Sequence, residues 1–257
     1  MTAYDRMARD FDRRRPLPSG VPDAIRAAVL ADLPARPELL DVGCGAGRIG
    51  WPFAAAGDAY TAVDLSLGML RAFAVRDLPR APCLAQADGA NLPFPGATFD
   101  GVLLVQVLSG VTGWRALLDE VLRVLTPLGV LFVGQSKAPD DGIDARMKQR
   151  MAEILAAMGE HPYQRHSKDD AFDWLARHAA RTTGIVAQWR MDRTPRAFIE
   201  RHGAGARFSA LGEPARTAAM AQIADWARAT FGSLDAPFAE IQTFELHVHR
   251  FHQKATP

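Results

Sequence analysis

Over the first half of the chain, apolar and polar positions keep a regular rhythm. Leu39-Leu40 with Val42, Ala59 to Val63, Cys83 to Ala87, Phe99 to Val107 and Val130 to Gly134 are short, nearly continuous apolar runs. Runs of that length read as parallel strands covered on both faces. Between them apolar residues recur at helical spacing. Pro22 to Leu33 puts Ile25, Val29 and Leu33 on one face, and Trp114 to Leu125 does the same with Leu117, Leu118, Val121 and Leu125. Leu67 to Val75 reads as a helix behind a Ser66 cap. Strands alternating with helices predict an α/β fold, a doubly wound, Rossmann-like, mostly parallel sheet.

Beyond residue 136 the rhythm changes. Asp140 to Met158, Asp169 to Arg181, Pro195 to His202 and Pro214 to Phe231 read as helices. Gly184 to Met191 reads as a strand, and Ile241 to Phe251 as a long alternating one with Phe244, Leu246, Val248 and Arg250 on one side. This half adds two strands and helical material able to sit over the ligand edge of the sheet. At the front, Tyr4, Met7 and Phe11 predict a short amphipathic helix that Pro16 and Pro18 end. There is no internal repeat. The expectation is a single domain over residues 1–257, with an N-terminal helical cap over 1–33, a cofactor-binding core over 38–136, and substrate-covering insertions within 137–257.

Composition narrows the partners. The formal net charge is +1, which gives no electrostatic case for nucleic acid. Only four of the 30 basic residues are lysines, read as a coding bias. The two cysteines, Cys44 and Cys83, make no disulfide framework and suit a reducing compartment. No apolar stretch is long enough to span a bilayer, and residues 1–16 lack the apolar core of a leader. A soluble cytoplasmic protein without a membrane partner is expected.

The candidate chemistry sits after the first strand, where Glu38-Leu-Leu-Asp-Val-Gly-Cys-Gly-Ala-Gly-Arg-Ile-Gly50 breaks from apolar into glycines. Gly45-Ala-Gly47-Arg-Ile-Gly50 formally matches the dinucleotide fingerprint, and Asp64 follows at about the spacing of a ribose-binding acid. Three features point away from a dinucleotide. Asp41 sits two residues before Gly43, unwelcome beside a pyrophosphate but suited to a cationic headgroup. Asp88, followed by Gly89, ends the third strand, where a carboxylate accepts from an adenine amine. Asp64 ends the second strand and reaches both ribose hydroxyls. Acids at three successive strand ends mark a site at the carboxyl edge of the sheet. The matching ligand carries an amino-acid cation, a ribose and an adenine, and no phosphate.

Leu39-Leu-Asp-Val-Gly-Cys-Gly-Ala-Gly47, Val63-Asp-Leu-Ser66, Ala87-Asp-Gly-Ala-Asn-Leu-Pro-Phe-Pro-Gly-Ala-Thr-Phe-Asp100 and Glu120-Val-Leu-Arg-Val-Leu-Thr-Pro-Leu-Gly-Val-Leu131 resemble, in order, class I S-adenosylmethionine-dependent methyltransferases. The likeness is to the small-molecule subgroup that includes those of quinone biosynthesis. It implies a seven-stranded sheet with the last strand antiparallel, and S-adenosylmethionine as cofactor. It implies that Asp41 and the loop Gly43, Cys44, Gly45 and Gly47 hold the methionine end, and Asp64 the ribose. Leu65 and Met69 would line the adenine, Asp88 and Gly89 would read it, and Gln106 would lie near the sulfonium. Ala8-Arg-Asp-Phe-Asp-Arg-Arg-Arg15 is similar to a segment that folds over the cofactor in the family, with Phe11 where tyrosine is usual and Arg15 facing the cofactor carboxylate. Leu128 stands where the family has a glycine.

Methyl transfer from a sulfonium is an in-line displacement, so alignment and exclusion of water supply most of the acceleration, and a base is needed only if the acceptor must lose a proton. No catalytic residue is singled out. The Asn/Asp-Pro-Pro-aromatic signature of base-amino methylation is absent from Val105-Gln-Val-Leu-Ser-Gly110, and Pro82-Cys83 begins the third strand, the wrong place for a pyrimidine nucleophile. His247 and His249 share a face of the last strand without a third metal ligand nearby, so no metal is expected. His202 and Arg207 fall where related enzymes cover the acceptor and are the candidate substrate residues. The reading is methyl transfer to a small-molecule acceptor. Its rivals are a non-catalytic S-adenosylmethionine-binding module and an NAD-binding oxidoreductase.

Overall fold

The computed structural model describes residues 17–160, 168–203 and 211–251. In chain order the elements are α1 (Val21–Ala31), β1 (Leu39–Val42), α2 (Trp51–Ala56), β2 (Tyr60–Asp64), α3 (Leu67–Ala74), β3 (Cys83–Gln86), β4 (Phe99–Val105), α4 (Trp114–Val124), β5 (Leu125–Lys137), α5 (Ile143–Ala157), α6 (Lys168–His178), β6 (Ala179–Arg193), α7 (Pro195–Gly203), α8 (Glu213–Phe231) and β7 (Phe238–Phe251). The strands form one seven-stranded sheet in the order β3-β2-β1-β4-β5-β7-β6.

β1 pairs in parallel with β2 on one side and β4 on the other. β2 with β3 and β4 with β5 are parallel as well. After β3 the chain crosses back over β1, so strand order reverses between β1 and β4. The carboxyl ends of those two strands therefore flank a crevice, the usual ligand position in an open α/β sheet. β7 runs the other way. As β5 advances from Gln135 to Lys137, its contacts on β7 step back from His247 to Thr243. The sheet is thus mostly parallel, as the strand–helix rhythm predicts, with an antiparallel last strand, as the resemblance implies.

The chain divides into two compact units at Ser136/Lys137, Ala187/Gln188 and Thr243/Phe244. The first has its core where Leu40, Val42, Val102, Leu104, Leu131 and Val133 of the sheet meet Leu117, Leu118 and Val121 of α4 and Ala171 and Leu175 of α6. The amphipathic spacing of α4 explains that packing, since its apolar residues fall on one side. The second unit has a core of its own. Met147, Met151 and Leu155 of α5 pack with Phe198 of α7 and Ile223 and Ala227 of α8, all buried.

The largest differences in element boundary from the sequence reading are the starts of β5 and β6. Pro127 and Gly129 predict a turn before a strand at Val130, whereas β5 begins at Leu125. Its pairing jumps from Phe99↔Leu125 to Gly101↔Val130, so the turn residues bulge out of a continuing strand. β6 starts at Ala179 rather than Gly184, which shortens the helix before it. The helix expected around Tyr4 to Phe11 lies outside the described residues. Among the described residues no helix is long and apolar enough to cross a membrane.

Candidate functional site

β1 is buried along its whole length, Asp41 included. The chain leaves it through a tight loop pinned to the next strand, where the amides of Gly43 and Cys44 both donate to Val63 O, at 2.8 and 3.1 Å. Gly43, Gly45 and Gly47 have φ of 78°, 57° and 76°, in the left-handed region. Gly47 has no room for a side chain: a Cβ there would stand 2.3 Å from the Phe73 ring. At Gly45 a Cβ would meet nothing within 4 Å among the described residues, so among them that turn of backbone faces open space. Gly50, which completes the dinucleotide-like spacing, has another reason to be glycine. A Cβ there would come 1.9 Å from the Tyr60 hydroxyl.

That hydroxyl belongs to Asp41. Tyr60 Oη donates to Asp41 Oδ2 at 2.6 Å, while Asp41 Oδ1 is buried without a hydrogen-bond partner among the described residues. Burial pushes the Asp41 carboxyl up to about 7; the Tyr60 hydrogen bond opposes this, and the negative charge of Asp64 adds to it. Burial, with Asp41 nearby, also drives the Tyr60 hydroxyl upward, so it remains a donor. A buried carboxylate oxygen with no partner is costly. Such an atom, beside a glycine turn with open space, fits the cation of an amino-acid headgroup.

Asp64 is half-buried at the end of β2. Its Oδ2 accepts from the Gly45 amide at 2.9 Å and its Oδ1 from the Ser66 amide at 2.8 Å. The side chain therefore ties the glycine loop to the start of α3, and each oxygen retains a second lone pair for a ligand hydroxyl. Ser66 caps α3 as its sequence position predicts, accepting from Met69 N at 3.2 Å. Leu65 is 57% exposed and Met69 only 2%. Met69 packs beneath the loop against Ala46, so of these two candidate adenine contacts only Leu65 presents its side chain. Asp88 is exposed and accepts from the Ala90 amide at 2.9 Å, shaping the turn that follows β3. A Cβ on Gly89 would stand 2.7 Å from Leu117 and 3.1 Å from Val42, which makes this glycine a packing requirement under α4.

Gln106 follows β4 with φ of 58°, a conformation uncommon for a residue with a side chain. Its amide donates to Gly134 O at 2.9 Å and its Oε1 accepts from Arg48 at 3.4 Å. Asp41, the glycine loop, Asp64 and Gln106 thus come together at the crevice flanked by β1 and β4. Cys44 is buried, and burial followed by the charges of Asp41 and Asp64 holds its thiol protonated. Cys83 is exposed on β3.

The remaining candidates fall elsewhere. His202 lies in α7, stacked on Phe198 at 3.9 Å between ring centroids, with Nδ1 tied to Phe198 O at 2.9 Å. Burial pulls it down to about 4, so it is a neutral, packed imidazole. Arg15 and Arg207 lie outside the described residues.

Sequence reasoning missed four supporting residues. The available sign of Tyr60 is an aromatic opening β2 beside the buried acid of β1. Arg76 donates to Ala46 O at 2.6 Å and clamps the loop from below. Glu120 accepts from Leu92 N while Arg123 donates to the carbonyls of Leu92 and Phe94, so this pair on α4 holds the loop after β3.

Residues 40–133 match the family described as the methyltransferase domain. A demethylmenaquinone methyltransferase of Corynebacterium urealyticum is 34% identical over 141 residues, covering 54% of this chain and 60% of the relative. One of Parafrankia is 35% identical over 158 residues, covering 53% and 62%. The chain thus matches about three fifths of the length of these curated relatives. Among solved structures, YcgJ of Bacillus subtilis aligns over 90% of this chain and 98% of its own with a TM-score of 0.58 at 18% identity. A putative methyltransferase of Bacillus halodurans aligns over 91% and 99% with a TM-score of 0.57 at 17% identity. At such identities the structures speak for the fold.

Proposed function

We propose that this chain, whose residues 40–133 match a methyltransferase domain, transfers a methyl group from S-adenosylmethionine to a small-molecule acceptor. The observation that carries the reading is the pairing of Asp41 Oδ1, buried and without a partner among the described residues, with the open turn at Gly45. Asp41 and the loop would take the methionine end, Asp64 the ribose, and Leu65 with the Asp88 turn the adenine. Gln106 would stand nearest the reacting centre. Bound there, the cofactor supplies an already activated methyl group. The chain's residues would then hold the acceptor in line and keep water out, with positioning as the main source of rate.

The named relatives act, by their names, on demethylmenaquinone. The family match ends at residue 133, before the helices of the second unit. A quinone-type ring is therefore the first acceptor to try.

Calorimetry with S-adenosylmethionine and with NAD tests the cofactor, and radiolabelled methyl transfer to demethylmenaquinol and to small-molecule pools tests the reaction. Single-site binding of S-adenosylmethionine is expected. Tighter binding of NAD would overturn the reading, and cofactor binding without turnover on any pool would leave a binding module in its place. In Asp64→Asn, loss of charge-assisted hydrogen bonds worth about 1.5–3 kcal/mol each is expected to weaken cofactor affinity by at least about tenfold.

A further inference from the structure

Beside the cofactor crevice, within the same compact unit, lies a hollow of about 400 Å³ lined by Gln135, Asp169, Phe172, Asp173, Arg181 and His247. Its place in the sheet ties it to the reacting centre. Gly134 pairs with Val105 and its carbonyl accepts from the Gln106 amide, so Gln135 is the next residue outward on the adjoining strand. The volume is that of a small-ligand site, and Phe172 gives it an aromatic wall.

Among the described residues of the lining, His247 is the buried titratable group, 6% exposed on β7. Its ring stands edge-on to Phe172 at 5.4 Å. Both ring nitrogens are engaged, Nδ1 at 2.8 Å from Thr183 Oγ1 and Nε2 at 3.0 Å from Gln135 Nε2. An amide nitrogen only donates. Gln135 therefore donates to Nε2, which makes Nε2 the basic nitrogen, and Nδ1–H donates to Thr183. The imidazole is held in one orientation and one tautomer, with its lone pair turned to a residue that lines the hollow. Among the described residues, the charged or titratable groups facing it include Glu245 and His249 on β7, Arg181 on β6, and Asp169 and Asp173 on α6, while β5 contributes the uncharged Gln135. Burial holds His249 down to about 4, so it adds no charge near neutrality.

We infer that this hollow receives the acceptor as a hydroxylated aromatic ring and that His247 Nε2 is the base that takes its hydroxyl proton, an inference that rests on the methyl-transfer reading above. The acceptor hydroxyl replaces the Gln135 amide at Nε2. Its O–H bond breaks, the proton forms Nε2–H, and the electron pair stays on the acceptor oxygen, making the ring the nucleophile. Glu245 Oε2, 3.9 Å from Nε2, faces the new imidazolium, while Arg181 and the released Gln135 amide face the oxyanion. A net-acidic surrounding of two carboxylates on α6 and Glu245 against one arginine favours a neutral acceptor over a phosphate or carboxylate.

4-Nitrophenol is the probe, a one-ring phenol whose ionised form absorbs visible light. Added to the wild-type protein just below its own ionisation range, it is expected to bind with its visible band raised over that of the free dye. His247→Gln is expected to bind the dye without raising the band. If that variant does not fold, Thr183→Val on the edge strand takes its place, and a weakened band is expected because Nδ1–H loses its acceptor. In turnover with a phenolic acceptor, His247→Gln is expected to lower kcat by about a hundredfold or more, with recovery at high pH where the phenol ionises unaided. Absence of dye binding, or an equal band in wild type and variant, overturns the inference. Failure of S-adenosylmethionine to bind in calorimetry, with the dye band intact, overturns the methyl-transfer reading and leaves the proton acceptor standing.

Discussion

Asp41 is a carboxyl group held where water does not reach it, 2% exposed and, among the described residues, bonded on one oxygen only. Its folded-state pKa of about 7 lies well above that of an unfolded aspartate. The sign follows from linkage: the protonated folded form contributes stability below about pH 4, and that contribution is lost as pH rises toward about 7. A cationic headgroup at Oδ1 favours the carboxylate and reverses the balance. Binding of S-adenosylmethionine at pH 6 is therefore expected to release most of a proton, and affinity to rise with pH until about 7. Calorimetry in buffers of different ionisation enthalpy reads the proton directly. Asp41→Asn is expected to abolish the release and to weaken binding by about 1.5–3 kcal/mol; a release unchanged in that variant would remove Asp41 from the headgroup site.

The loop after β1 works as an element because three neighbours define its path. β2 anchors its amides through Val63 O and Asp64, α3 presses the Phe73 ring against Gly47, and Arg76 clamps Ala46 O. Gly47→Ala adds a methyl group where the backbone is left-handed and the ring already touches. The expected cost exceeds about 2 kcal/mol, visible as a lower denaturant midpoint. Phe73→Leu in the same chain is expected to return only part of it, because the ring clash is relieved and the backbone strain is not. A neutral Gly47→Ala would mean the loop is not held against α3. The turn after β3 follows the same logic from the other face of the sheet, with Glu120 and Arg123 of α4 bonded to its backbone. The resemblance marked both motifs without saying that one is the brace of the other.

At the scale of the whole chain, the cofactor crevice draws every described residue from the unit that carries β1 to β4, while α5, α7 and α8 build a separate core. Ile223→Ala opens a cavity in that second core and is expected to cost about 2–5 kcal/mol while leaving S-adenosylmethionine affinity unchanged. A thermal melt and a cofactor titration on the same variant check the two halves of that statement. The strand–helix rhythm, the glycine loop and the acids of the first three strands were legible in the sequence because they are local. Apolar spacing reports burial within one element, and a tight turn of positive φ selects glycine wherever the chain lies. The partner of Asp41, the packing reason for Gly50 and Gly89, the burial of Met69 and the neutral, stacked state of His202 were not legible. Each depends on side chains brought together from separate elements, and sequence spacing carries no distance between them. So the amino-acid sequence alone laid out the strands of the sheet and the motifs on which the proposed methyl donor rests. Only the tertiary structure decided which carboxylate is tied to the loop, which has an oxygen without a partner among the described residues, and that a histidine of the last strand faces a hollow beside Gln135, because desolvation and hydrogen-bond partners exist only once the strands are laid side by side.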